Sequence, residues 1–147
     1  ICPFMNRFPI ITVGGLLRDA AGNILLVKTA KWSNLWGIAG GKVEYGETLE
    51  AAFLRETLEE TGLHALHPKM VMVQDAVEHP EFFQPRHFVL INYVADVKGA
   101  KPDVVLNDEA QDYLWIPAKE ALDMPLNGPT RALIKVVLAG GESLWTS

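Results

Sequence analysis

The chain of 147 residues has a single cysteine, fewer basic than acidic side chains, and no apolar run approaching the ~20 residues of a membrane span. Each shortage excludes something. Cys2 has no partner for an internal disulfide, which fits a reducing compartment, most simply the cytoplasm. No charged stretch followed by a long apolar run opens the sequence, so neither a signal peptide nor a membrane anchor is expected. Thirteen Lys and Arg against eighteen Asp and Glu leave a net charge of −5. Gripping a polynucleotide requires neutralising many phosphates with basic side chains, so long nucleic acid is not an expected partner. Internal repeats, low-complexity tracts and a linker rich in Pro and Gly are also missing.

What is present suits one domain. At 49% hydrophobic residues the chain is long enough for a real core. The sequence predicts a single domain over 1–147, with its core at about 8–140 and loose termini at 1–4 and 141–147. Met5 is a candidate native start. Trp145, in the C-terminal segment, is a candidate docking residue for a partner subunit in a homodimer.

Apolar and β-branched runs at Ile10–Leu17 and Ile24–Lys28, split by a polar turn over 18–23, predict a hairpin. Trp32 to Gly46 reads as a loop with a short strand, and Gly40-Gly41 allows close backbone approach. Thr48 to Thr61 reads as a helix capped by Thr48 and ended by Gly62, with Ala51, Leu54 and Leu58 as its buried stripe and the glutamates on an exposed face. Further strands are expected at Met70–Val77, His87–Val97 and Asp112–Ile116. Helices are expected at Pro117–Leu122 and Pro129–Leu138, the second burying Leu133, Val136 and Val137. Strands with interspersed helices predict an α/β protein whose mixed sheet is covered on both faces.

The segment GKVEYGETLEAAFLRETLEETGL at 41–63 crowds Glu56, Glu59 and Glu60 behind Arg55. Like charges three and four apart on a helix repel by roughly 0.2–0.5 kcal/mol per pair, so a cation from outside the chain is expected. Hard divalent ions such as Mg²⁺ take oxygen ligands of this kind. The spacing of Gly41, Glu47, Arg55, Glu56, Glu59, Glu60, Gly62 and Leu63 resembles the Nudix box. Thr57 stands where that family usually carries an aliphatic residue, and Ala39 where proline is common before the double glycine. The resemblance covers about Phe8 to Gly140. It implies the Nudix α/β/α sandwich and hydrolysis of a nucleoside diphosphate linked to another group. It further implies Glu59, Glu60 and the Gly40 carbonyl as metal ligands, Glu56 as ligand or base, and an Arg55–Glu47 pair. Mg²⁺ is the implied cofactor, with Mn²⁺ as a substitute.

The same resemblance bears on substrate. Asn107 to Trp115, with Leu126-Asn127 and the Thr130-Arg131 helix start, is similar to Nudix enzymes acting on pyrimidine deoxynucleoside triphosphates. Asn127 resembles a base-recognising asparagine, and Glu109 an acidic position reaching the metals or the attacking water. Lys28, Lys31, Lys42 and Arg86 are candidate phosphate contacts, Lys28 favoured because it ends a strand. Trp32, Trp36, Phe82 and Phe83 are candidate stacking partners for a base. The four histidines lack compact zinc spacing and read as surface or packing residues. The expected activity is conversion of a (deoxy)nucleoside triphosphate to monophosphate plus pyrophosphate. The alternatives are an ADP-ribose or nucleotide-sugar pyrophosphatase, some of which carry a proline in the region of Pro80 and Pro85, and a non-catalytic nucleotide sensor.

Overall fold

The computed structural model describes residues 7–145. Cys2, Met5 and the 1–4 segment lie outside the described residues. In chain order the strands are β1 (Ile10–Arg18), β2 (Asn23–Thr29), β3 (Leu35–Gly37), β4 (Ala39–Lys42), β5 (Leu66–Val77), β6 (His87–Asp96) and β7 (Asp112–Pro117). The helices are α1 (Leu49–Thr61), α2 (Ala118–Ala121) and α3 (Gly128–Gly140). No helix among the described residues is long and apolar enough to cross a membrane.

All seven strands share one mixed sheet. β1 runs parallel to β6 from Ile10↔Phe88 to Arg18↔Asp96, while β4 lies antiparallel along β1 from Thr12↔Lys42 to Gly15↔Ala39. The expected hairpin exists only at its turn. β1 and β2 pair at Arg18↔Ile24 and then part, because β2 is bound along its length by β7 and β3. β5 is longer than expected, entering through Pro68 with irregular register near Leu66 to Met72, which an edge strand tolerates.

Strand alternation sorts the core into two layers. Val13, Leu17, Ile91 and Tyr93 pack with Phe53 of α1, whose ring stacks on Tyr93 at 4.7 Å. Leu16, Leu26 and Val94 face the other way, against Leu133, Ile134 and Val137 of α3. Helices on both faces complete an α/β sandwich.

Three expectations are corrected. On α1, Leu54 and Leu58 are 36% and 42% exposed, and the buried stripe is Ala52, Phe53, Thr57, Glu60 and Thr61. That second stripe also satisfies helical spacing, and it turns Glu60 inward, so the glutamates do not share an exposed face. On α3, Val136 is exposed and Ile134 takes its place, because the stripe runs Thr130, Leu133, Ile134, Val137. The C-terminal segment is not loose as far as Trp145. Gly141–Leu144 form a 3-10 turn, and Trp145 is buried against the α3 layer beneath the Arg18 guanidinium, 4.6 Å from its ring centre.

Candidate active site

α1 begins where Thr48 Oγ1 accepts the Ala51 N–H, and ends at Gly62, which takes a positive φ of 73° that a side chain would oppose. Between these caps, Arg55 points back to the preceding loop. Its Nε and Nη2 donate to the two Glu47 oxygens at 2.7 and 2.8 Å, a bidentate pair. Its Nη1 donates to Glu56 Oε1 at 2.9 Å and Glu59 Oε2 at 3.2 Å, and its Nη2 also reaches the Lys42 carbonyl. The Arg55 hydrogen bond holds the Glu47 carboxyl down at about 2, helped by the Glu44 N–H, which Glu47 also accepts. One guanidinium therefore ties the loop, the helix and β4 together.

The acids farther along α1 sit differently. Glu60 is 6% exposed, and its Oε2 accepts the Gly40 N–H at 2.7 Å. Burial first, and then contact with the neighbouring Glu109 carboxyl, push its pKa up to about 9 against the lowering effect of the Gly40 bond. Burial likewise raises Glu56, opposed by Arg55. Glu56 lies so close to β4 that a Cβ on Gly41 would overlap its carboxyl group, and one on Gly40 would run into the Val13 carbonyl oxygen. Glycine at these positions is a requirement of close approach.

A cavity of about 460 Å³ opens beside these acids. Its exposed rim carries Lys31, Lys42, Glu44 and Glu109, with Glu56 behind them. Its walls are Ile38, Trp32, Phe82, Phe88 and Leu90, and its buried end is formed by Asn92, Asn127 and Thr130. The aromatic wall is a cluster of edge contacts, Trp32 to Phe82 at 5.0 Å and Phe82 to Phe88 at 4.9 Å. The 79–83 loop carrying Phe82 is tied down because Glu81 Oε1 accepts the Gly128 N–H and the Phe83 N–H donates to the Lys31 carbonyl. A second, smaller cavity joins Lys31, Trp32, Gly40, Glu60, Glu109 and Asn127.

A sequence profile described as the NUDIX domain matches residues 9–136. The chain belongs to the Nudix family. It is 30% identical over 105 residues to the nucleoside triphosphatase NudI of Escherichia coli K12, covering 69% of this chain and 74% of NudI. The crystal structure of a MutT protein from Methanosarcina mazei Go1 superposes with a TM-score of 0.75 at 25% identity, covering 94% of this chain and 99% of that one. The NUDIX domain of Shewanella oneidensis NrtR, solved with ADP ribose, shares the fold with a TM-score of 0.76 at 21% identity, over 95% and 93% of the two chains.

Within this Nudix site the structure brings together Glu47, Arg55, Glu56, Glu60, Glu109, Gly40 and Asn127. Glu59 stands apart from Glu60, half exposed and held by Arg55. Lys28 and Trp36 line neither cavity. They pair across β2 and β3, the Lys28 ammonium lying 5.8 Å from the Trp36 ring centre, and the Trp36 ring packs on the α3 layer. Lys31 and Lys42 occupy the rim instead. Phe83 and Arg86 are exposed and line neither of these two cavities; Arg86 borders a separate one with Phe8 and His87. Sequence reasoning passed over Phe88, Leu90 and Asn92, which alternation on β6 puts on one face. The available signal was a lone polar residue inside the apolar run 88–95.

Nudix hydrolases use a divalent metal, and the donor set here fits a hard one. Among the described residues Glu60 has no cationic side chain within ion-pair distance, and its raised pKa is that of a buried acid lacking a counter-charge. Among the described residues no three acidic, imidazole or thiol groups converge as a closed cage. A site made of Glu56, Glu60 and the strand at Gly40 would leave coordination positions for water and phosphate, as Mg²⁺ prefers.

Proposed function

We propose that this chain hydrolyses a (deoxy)nucleoside triphosphate to the monophosphate and pyrophosphate with Mg²⁺ as its cofactor. The observation that carries the reading is that Glu56 and Glu60, two buried or half-buried acids, meet the Gly40-Gly41 strand beside a cavity walled by aromatics and rimmed by lysines. The similarity to NudI, a nucleoside triphosphatase, supports the same substrate class.

In this reading Glu56, Glu60 and the Gly40 carbonyl would hold the metal, with Glu59 as a further ligand. A bound divalent cation supplies charge neutralisation of the phosphates and lowers the pKa of the attacking water. The chain's own groups do the rest. Arg55 fixes Glu47 and Glu56 so that the loop and α1 keep their relative position. Lys31 and Lys42 bind phosphate oxygens at the rim, while Trp32 and Phe82 contact the base, for which the cavity volume is sufficient. Water oxygen forms a new bond to phosphorus, the bridging P–O bond breaks, and the water proton passes to a Glu109 carboxylate oxygen. Asn127 contacts the base at the buried end.

Turnover of canonical and oxidised deoxynucleoside triphosphates beside ADP-ribose, with and without Mg²⁺, tests this directly. The expected products are a monophosphate and pyrophosphate, formed only with metal. Cleavage of ADP-ribose alone would overturn the substrate class, and metal-independent turnover the mechanism. Glu109→Gln is expected to lower kcat by about 10²-fold or more at saturating Mg²⁺; unchanged turnover removes it as the base.

A further inference from the structure

The buried end of the cavity contains an amide pair that the phosphate chemistry does not use. Its polarity is set by one backbone group. The Pro129 carbonyl can only accept, so the nitrogen of Gln74 must face it, and Nε2 donates there at 2.9 Å. The second hydrogen of Nε2 is donated to Asn92 Oδ1, also at 2.9 Å. Asn92 is thereby turned with its oxygen toward β5 and its Nδ2 away from it.

Asn92 is 4% exposed and lines the cavity, and its Nδ2 has no acceptor among the described residues. The amide N–H₂ therefore opens into the cavity. Asn127, at the same end, repeats this polarity. Its Oδ1 accepts the Thr130 N–H at 2.9 Å as the cap of α3, leaving Nδ2 without an acceptor among the described residues and packed against Gly37, where a Cβ would come within 2.5 Å. The neighbouring side chains Ile38 and Leu90 are apolar, and the Thr130 hydroxyl can turn either way. Two donors of fixed orientation at the closed end of the cavity, with apolar side chains beside them, match acceptor atoms on a ligand and oppose donor atoms there.

We propose that Asn92, oriented by Gln74, selects a nucleobase with a carbonyl on the edge remote from the sugar, a 4-oxopyrimidine or 6-oxopurine, over its amino counterpart. This rests on the reading of the cavity as the base site of a nucleoside triphosphate. With the phosphates at the lysines and acids of the exposed rim, the base edge farthest from the sugar enters the buried end. A carbonyl there accepts from Asn92 Nδ2. The amino group of cytosine or adenine sets donor against donor. Gln74 is a positioning residue: it touches no cavity surface and acts by denying Asn92 its flipped orientation.

The test is metal-free calorimetric binding of nucleoside 5′-monophosphates to the whole protein, comparing dUMP with dCMP and dIMP with dAMP, pairs that differ at the edge in question. The oxo member of each pair is expected to bind about tenfold tighter or more, as sites built to hydrogen-bond a ligand discriminate. Gln74→Leu frees the Asn92 amide to flip and is expected to bring each ratio below about threefold; a merely structural role would weaken both members equally and preserve the ratio. Equal binding of oxo and amino forms by the wild-type protein overturns the proposal without any variant. The hydrolase reading is judged separately by Mg²⁺-dependent triphosphate turnover. Turnover without base discrimination sinks only the donor, oxo-selective binding without turnover sinks only the hydrolase, and neither binding nor turnover sinks both.

Discussion

At the scale of single residues, Thr57 and Arg55 show opposite uses of polarity on one helix. Thr57 is fully buried, and its hydroxyl has no hydrogen-bond partner among the described residues. Leaving such a group dry costs about 1–3 kcal/mol, and the family's usual aliphatic residue would avoid that cost. Thr57→Val, close in shape, should stabilise the protein by about 1 kcal/mol, read as a higher midpoint in urea with unchanged slope. A lower midpoint would show that the hydroxyl has a partner in solution. Arg55, by contrast, satisfies several acceptors at once, and only a planar fork can hold Glu47 by two bonds while a third nitrogen reaches Glu56 and Glu59. Arg55→Lys keeps the charge and loses the fork. Its expected effect is a 10- to 100-fold weaker apparent Mg²⁺ affinity in turnover assays, with the fold intact by circular dichroism; unaltered metal dependence would reduce Arg55 to a surface ion pair.

At the scale of elements, α3 combines a structural cap with the candidate base site, and substitutions at Asn127 can separate the two. Asn127→Ala removes the cap and should cost about 1 kcal/mol, a fall of roughly 2–5 °C in Tm for a chain of this size. Asn127→Asp keeps the capping oxygen and suits the helix N-terminus, so Tm should stay near wild type while the cavity loses a donor. Equal Tm losses in both variants would contradict this division. Much of this element scale was legible beforehand. The bounds of α1 followed from Thr48 and Gly62, and β6 from its apolar run. What was not legible is which of two valid stripes on α1 turns inward, since Ala51, Leu54 and Leu58 fit helical spacing as well as Phe53, Thr57 and Glu60 do. The choice is made by packing: β4 needs an acid at its Gly40 N–H, and Tyr93 offers a face to Phe53. Asn92 was hidden for a similar reason, because its role depends on Gln74 and Pro129, partners 18 and 37 positions away. Trp145 likewise found its cover only once Arg18 lay over it.

At the scale of the whole molecule, the site opposes the stability of the metal-free fold, and pH exposes the conflict. Glu60 titrates at about 9 in the folded chain against an ordinary 4.5, so between those values the native state holds a proton that the unfolded chain has released. Stability then falls as pH rises through that window and is lowest above it. Glu47 acts in the other direction: with its pKa held at about 2, its contribution is present above 4.5 and is lost as pH falls toward 2. The metal-free protein should therefore have its highest Tm at mildly acid pH and decline toward pH 9. A cation at Glu60 requires the ionised form, so Mg²⁺ should raise Tm far more at pH 8.5 than at pH 5.5 and release a proton as it binds. Glu60→Gln should flatten the alkaline decline and abolish most of the Mg²⁺ response together. Thermal melts across this range, with and without Mg²⁺, decide the matter. If the Mg²⁺ shift is the same at both pH values, the metal binds without displacing the Glu60 proton, and the ligand set must lie with Glu56 and the half-exposed Glu59 instead.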